Sequence, residues 1–393
     1  METAEEVISI LENDGKNFIT VTTMGTHASY SDFVFDSYDE WITVDGLTDA
    51  TQLVLNNYIQ KLRMTDLMIG QIMDYIEQYL CKYNFTTKRV NKCLIAYNDL
   101  NPNIGFVGHT DTVDYESWDG NPFELVEIDN KLKGLGACDM KGGISAILST
   151  ISKIDLEKNK IALYLTNDEE IGFEGIKTIK DMIVPNNIIV GEPTNNIPIY
   201  GTKGLLELHI DFYGIKCHSS VPDKGKSAIK ESMNFINEIQ LYYEYNIKED
   251  IIKDFEVPYT TMNIGMITGG ETVNSVSGKC SITIDFRIAK KSHIKKIKKK
   301  VNSLLEKYDY NLFIKEEVEP KINKNDISFL EEISSKKQTK CYLTEASMIN
   351  KNSIILGPGP DTSHQKNEYI TIDKLLETEK LYTQIIKYYN GEK

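Results

Sequence analysis

Four short apolar runs, at residues 104–107, 161–165, 188–190 and 354–356, are each followed at once by a cluster of His, Asp, Glu, Gly and Pro. Runs of strand length bounded in this way predict buried β-strands. With the helical patterns that alternate with them from about Leu53 onward, they predict an α/β domain with a mostly parallel sheet. In open sheets of this kind ligands bind beyond the carboxyl ends of the strands, so the four clusters can converge on one site.

Between about residues 199 and 319 the pattern changes to strict alternation. Leu206, Leu208, Ile210 and Phe212 interleave with Glu207, His209 and Asp211, and Cys280, Ile282, Ile284 and Phe286 interleave with Ser281, Thr283, Asp285 and Arg287. Such strands have one wet face. A helix is predicted over residues 228–242, strands near 261–267 and 311–315, and a lysine-rich helix before the last strand. The order β-α-β-β-α-β predicts a ferredoxin-like unit inserted into the larger domain. The lysine-rich segment 290–300 carries seven lysines, yet Ile294, Ile297 and Val301 form an apolar stripe, so it reads as an amphipathic helix with a solvated face.

The first 52 residues fit neither unit. They suggest a helix over 4–12, strands near 18–23, 33–35 and 41–44, and a further helix. The chain therefore divides into an N-terminal extension (1–52), a catalytic domain in two pieces (53–198 and 320–393) and an inserted lid or dimerisation domain (199–319). A length of 393 residues agrees with two domains, since one hydrophobic core rarely serves more than about 300.

Composition narrows the chemistry. The formal charge of −14 argues against nucleic acid as a partner. No stretch approaches the roughly 20 apolar residues of a membrane helix, and the acidic N-terminus does not resemble a signal peptide, so a cytoplasmic protein without membrane contact is expected. The six cysteines lack paired spacing, which points to reduced thiols. Any metal ligands would then be His, Asp and Glu.

Five segments carry such residues: Gly108-His109-Thr110-Asp111-Thr112, Gly136-Ala137-Cys138-Asp139-Met140-Lys141-Gly142-Gly143, Asn167-Asp168-Glu169-Glu170, Gly191-Glu192-Pro193-Thr194 and Ser363-His364-Gln365. Taken singly each is weak, because an isolated loop histidine or a Glu-Glu pair is ordinarily structural or solvated. All five, in this order at strand ends, make coincidence improbable.

The series resembles that of the acetylornithine deacetylase, succinyl-diaminopimelate desuccinylase and aminoacylase superfamily, from roughly Leu53 to the C-terminus. The resemblance implies two zinc ions, for which cobalt(II) can substitute: His109 and Glu192 on one, Glu170 and His364 on the other, Asp139 bridging. It further implies Asp111 as the carboxylate that orients His109, and Glu169 as the catalytic base. The chemistry agrees with this set. Zinc takes imidazole and carboxylate ligands and keeps open positions in catalytic sites, and a carboxylate behind a ligating histidine is the usual partner that fixes its ring. Successive residues at a strand end point in different directions, so one of Glu169 and Glu170 can ligate while the other stays free to move a proton.

In the inserted unit Cys217-His218-Ser219-Ser220 resembles the family motif whose histidine reaches a partner subunit's site and stabilises an oxyanion, so a homodimer is implied. Gly269-Gly270-Glu271-Thr272-Val273-Asn274 and Asp285-Phe286-Arg287 resemble its substrate-carboxylate site, with Asn274 and Arg287 as readers. His27, His209 and His293 have no motif context and read as surface residues. Cys217 before the lid histidine, and Lys366 and Asn367 after His364-Gln365, depart from the family pattern without removing a metal ligand. Val257 to Gly265, Thr344-Glu345-Ala346 and Leu356-Gly357-Pro358-Gly359 are most similar to the acetylornithine deacetylase branch. The expected reaction is hydrolysis of an N-acyl amino acid, N-acetylornithine to ornithine and acetate, as in arginine biosynthesis. The alternatives are a desuccinylase, a dipeptidase, or a non-catalytic metal-binding relative.

Overall fold

The computed structural model of the chain describes residues 7–13, 16–22, 66–115, 118–122, 124–323 and 338–392. Strands β1 (Val7–Asn13) and β2 (Lys16–Thr22) pair antiparallel with each other, Asn13 opposite Lys16. Of the helix expected over residues 4–12, the described part, from Val7, is therefore a strand, and residues 4–6 lie outside the described residues. Val7, Ile8 and Ile10 are β-branched, and the Asp14-Gly15 dipeptide that links the two strands is by sequence a strong hairpin signal. The elements expected near residues 33–35, 41–44 and just beyond lie outside the described residues.

The larger domain begins with α1 (Asp66–Lys82), the hairpin β3 (Thr86–Val90) and β4 (Cys93–Tyr97), and β5 (Ile104–His109). It continues through β6 (Val126–Ile128), β7 (Lys131–Lys133), α2 (Gly142–Ile151), β8 (Ile161–Thr166), α3 (Glu174–Ile179), β9 (Asn187–Val190) and β10 (Ile199–Thr202). The chain then builds β11 (Gly204–Tyr213), α4 (Ala228–Asn246), β12 (Thr261–Gly269), β13 (Lys279–Ile288), α5 (Lys291–Leu305) and β14 (Asp309–Val318). It returns as β15 (Lys321–Ile322), β16 (Gln338–Lys340), α6 (Glu345–Met348), β17 (Asn352–Ile355), β18 (Tyr369–Thr371) and α7 (Ile372–Tyr389).

The main sheet runs β15-β10-β17-β9-β5-β8-β4-β3, with β16 also on β10. It is mixed rather than mostly parallel. Strands β17, β9, β5 and β8 are parallel neighbours at its centre, while the pairings β10 with β17, β10 with β15, β8 with β4 and β4 with β3 are antiparallel. The flanking strands arrive by hairpins and by the return from the insertion, and neither connection requires a parallel crossover.

The central strands are almost wholly apolar because both faces are covered. Phe106, Leu163, Leu165 and Ile189 pack with side chains of α1, α2 and α7, while Val107, Tyr164, Ile188 and Val190 pack with Ile176 and Ile179 of α3 and Ala346 of α6. A separate antiparallel sheet has the strand order β18-β7-β6.

The inserted unit is a four-stranded antiparallel sheet in the order β12-β13-β11-β14, the ferredoxin-like arrangement expected from its order of elements. Leu206, Leu208, Ile210, Phe212, Ile282, Ile284 and Phe286 form its core with Phe235 and Ile239 of α4 and Ile297 and Val301 of α5. The lysines of α5 stay on its wet face, where Lys298 pairs with Glu317 and Lys291 with Glu319. His293 is not a surface residue. Its ring is fully buried, bonded to Thr260 Oγ1 at 2.8 Å and Asp250 Oδ2 at 3.1 Å. His209 is half-buried against Glu207, and His27 lies outside the described residues.

Candidate metal centre

Three of the central strands, β5, β8 and β9, deliver acidic or imidazole groups at their carboxyl ends. β5 ends in His109, whose buried Nδ1 faces inward to Asp111, 3.0 Å from its carbonyl oxygen and 3.5 Å from Oδ1. β8 ends before Asn167, and Asp168 then takes a left-handed conformation (φ 63°) that turns the chain so that Glu169 and Glu170 follow at the site. Asp tolerates this region better than most residues. β9 runs into Gly191 and Glu192. Gly143 of α2 packs against Gly191 so closely that a Cβ would fall inside the contact distance of the Gly191 carbonyl oxygen, which explains glycine there.

The expected ligands come together. Nε2 of His109 is 3.0 Å from Asp139 Oδ1 and 3.7 Å from Glu192 Oε1. On the other side Nε2 of His364 is 3.1 Å from Glu170 Oε2 and 3.6 Å from Asp139 Oδ2. Asp139 thus turns one oxygen to each imidazole. His109, Asp139 and Glu170 form one group with metal-ligand spacing, and His109, Glu169 and Glu192 form another. Donors about 2.0–2.2 Å from a tetrahedral zinc stand roughly 3.3–3.6 Å from one another, and the spacings here straddle that value. The His109 side chain is fully buried whereas that of His364 is 55% exposed, so the site opens on the His364 side.

The electrostatics make the same demand. Burial, reinforced by Asp139, pushes Glu192 up to about 8. Burial and then Glu192 raise the Glu169 carboxyl well above its ordinary range. Burial opposes the charge on His109, but Glu192, Asp111 and Asp139 outweigh it and raise this group, and the bond to Glu170 lifts His364 to about 9. Carboxylates crowded in this way hold protons in place of cations. A donor set of imidazoles and acidic oxygens with excess negative charge fits divalent ions such as zinc.

Other expected residues stand elsewhere. His218 is exposed, bonded through Nδ1 to Ser220 Oγ at 2.7 Å, and it bridges to Ser275 beside Asn274. Both lie at the end of the insertion where Tyr213 of β11 meets Lys279 of β13. Arg287 lies at the opposite end, opposite Leu205, and its Nε and Nη2 grip Asp285 at 3.0 Å each. Eight residues of strand separate Lys279 from Arg287, roughly 27 Å. Within one chain, Asn274 and Arg287 therefore do not read the same carboxylate. Lys141 and Lys203 are buried with their ammonium groups on the carbonyls of Leu135 and Tyr259.

Two buried acids were not singled out from the sequence. Glu345 bonds to Thr166 Oγ1 behind the site, and burial lifts it to about 7. Glu368 accepts backbone N–H groups from the loop that carries Asp139. Both sit close in sequence to residues that carry the family resemblance. Nothing in their local pattern marks a glutamate as buried.

A model of the peptidase dimerisation domain of the M20 family matches residues 200–312. The acetylornithine deacetylase of Photorhabdus laumondii subsp. laumondii is 34% identical over 307 residues, covering 72% of this chain and 78% of that protein. The chain belongs to the M20 family of peptidases and amidohydrolases. Another M20 relative, the acetylornithine deacetylase of Buchnera aphidicola subsp. Acyrthosiphon pisum, is 29% identical over 351 residues, covering 82% of this chain and 92% of its own length. Among solved structures a tripeptidase from Staphylococcus aureus superimposes with a TM-score of 0.72 at 21% identity, over 87% of this chain and 99% of that one, which shows the fold. The insertion of this M20 chain is accordingly a dimerisation domain. No helix among the described residues is long and apolar enough to cross a membrane.

Proposed function

We propose that this M20 protein is a zinc-dependent deacylase of N-acyl amino acids, with N-acetylornithine as the favoured substrate. One observation carries the reading: Asp139 faces His109 with one carboxylate oxygen and His364 with the other, so two ligand sets share it. His109 and Glu192 would hold one ion and Glu170 and His364 the second. The ions would polarise the amide carbonyl and make water a better nucleophile at neutral pH.

The remaining chemistry belongs to the chain. Glu169 takes a proton from the attacking water and returns it to the departing amine nitrogen, so water and amide become acid and amine. Asp111 holds the His109 ring in one orientation. His218 and Asn274 serve the site of a partner subunit, where the imidazole N–H of His218 donates to the oxygen that gains charge as the carbonyl is attacked. Arg287 meets the substrate carboxylate from the subunit that holds the ions.

The neutral acyl group is favoured because Lys141 and Lys203, both near the motifs in sequence, are turned to backbone carbonyls rather than to a second carboxylate. The relatives named as acetylornithine deacetylases support the amino acid. Comparing kcat/KM for N-acetyl-L-ornithine, N-succinyl-diaminopimelate and a dipeptide on zinc-loaded protein tests this. Turnover of the succinylated compound at least as fast as the acetylated one would refute the deacetylase reading and leave a two-metal amidohydrolase.

A further inference from the structure

Glu368 is 1% exposed and lies four residues beyond His364. Its carboxylate accepts three backbone N–H groups of the opposite loop: Gly136 at 2.8 Å on Oε2, and Cys138 at 2.7 Å and Asp139 at 2.8 Å on Oε1. Its own carbonyl oxygen accepts a fourth, from Gly134 at 3.2 Å. The loop it belongs to is closed at the base by Thr362 and Tyr369, where Thr362 Oγ1 donates to the Tyr369 carbonyl at 2.7 Å and accepts its N–H at 3.0 Å. One buried side chain therefore fastens the loop of His364 to the loop of Asp139.

We infer that Glu368 is a positioning residue that sets the span between Asp139 and His364 and so tunes the affinity of the His364-side metal position. The inference rests on the two-metal reading above. Only an ionised carboxylate presents acceptors alone at both oxygens. In Glu368→Gln an amide NH₂ replaces one oxygen, and whichever way it is turned, it meets at least one backbone N–H, donor against donor. The Asp139 main chain then loses its fixed position relative to His364. His109 and Glu192 are held from other strands and keep theirs.

The test is a cobalt(II) titration of the full metal-depleted chain, followed by calorimetry and by the visible absorption of the bound ion. Wild-type protein is expected to take up two equivalents. Glu368→Gln is expected to bind the first within about threefold of wild type and the second about 10- to 100-fold more weakly, the scale known for partners that orient metal ligands. Glu368→Asp keeps an acceptor-only carboxylate on a shorter arm and is expected to fall between the two. Wild-type protein that binds fewer than two ions overturns the two-metal reading itself. Wild-type uptake of two with an unchanged second step in either variant overturns the role of Glu368 alone. Recovery of both variants only as unfolded protein also overturns it, because Glu368 would then be a determinant of folding rather than of metal geometry.

Discussion

The backbone N–H of Glu170 donates to Oδ2 of Asp111 at 3.1 Å. The other oxygen of the same carboxylate faces His109 Nδ1 at 3.5 Å. Asp111 thereby joins the ends of β5 and β8 and settles which of two adjacent glutamates is tied to the frame. Glu170 is anchored through its main chain and reaches His364, while Glu169 groups with His109 and Glu192.

Glu169→Gln is expected to retain near-wild-type metal content while kcat falls by about 10² to 10⁴. Elemental analysis beside steady-state kinetics checks it. Loss of metal in this variant would make Glu169 a ligand and defeat its assignment as the base.

Mixing inactive His218→Ala with inactive Glu169→Gln is expected to regenerate part of the activity once subunits exchange. One hybrid site would then hold wild-type Glu169 and receive wild-type His218. Proven heterodimers without recovered activity would show that His218 acts within its own chain or not at all.

Metal-depleted protein is expected to lose stability as pH rises from about 5 to 8. Burial lifts Glu192 to about 8 and Glu345 to about 7, from an ordinary value of 4.5. In that window the folded chain binds more protons than the unfolded one, so stability falls with pH. His364, raised to about 9 by Glu170, contributes stability that is present below its unfolded value and lost as pH rises, which has the same sign. Melting curves at pH 5.5 and 8 with chelator, then with zinc, check this. Zinc should flatten the dependence, because cations replace the protons.

Gly143→Ala is expected to destabilise the catalytic domain by about 1–3 kcal/mol or more, since the added Cβ meets the Gly191 carbonyl and neither backbone can yield. Denaturant unfolding measures it. The same substitution at Gly265 of the exposed strand β12, where the nearest atom to a new Cβ is 3.6 Å away, serves as the control and is expected to change stability little.

Much of this protein was legible in its order of residues. The alternation of Leu206 through Phe212 and Cys280 through Phe286 specifies strands with one buried face, because side chains on a strand alternate by geometry alone, and the order β-α-β-β-α-β specifies the ferredoxin-like unit. The apolar runs ending in His109, Thr166 and Val190 likewise specify buried strands with chemistry at their carboxyl ends. Local pattern failed where two local signals competed. The β-branched residues and the Asp14-Gly15 link prevailed over helical spacing at Val7–Asn13.

Only the tertiary structure decided what depends on distance between elements far apart in the chain. That His364 faces Asp139 from 225 positions away along the chain, that Glu368 fastens their two loops, and that Asn274, in the loop before β13, stands away from Arg287 near the far end of that strand are facts of packing. Burial of His293 and Glu345 is of the same kind. A residue's own neighbours set its backbone preference, but whether its charge meets water, a partner or a metal ligand is set by whatever surface folds over it.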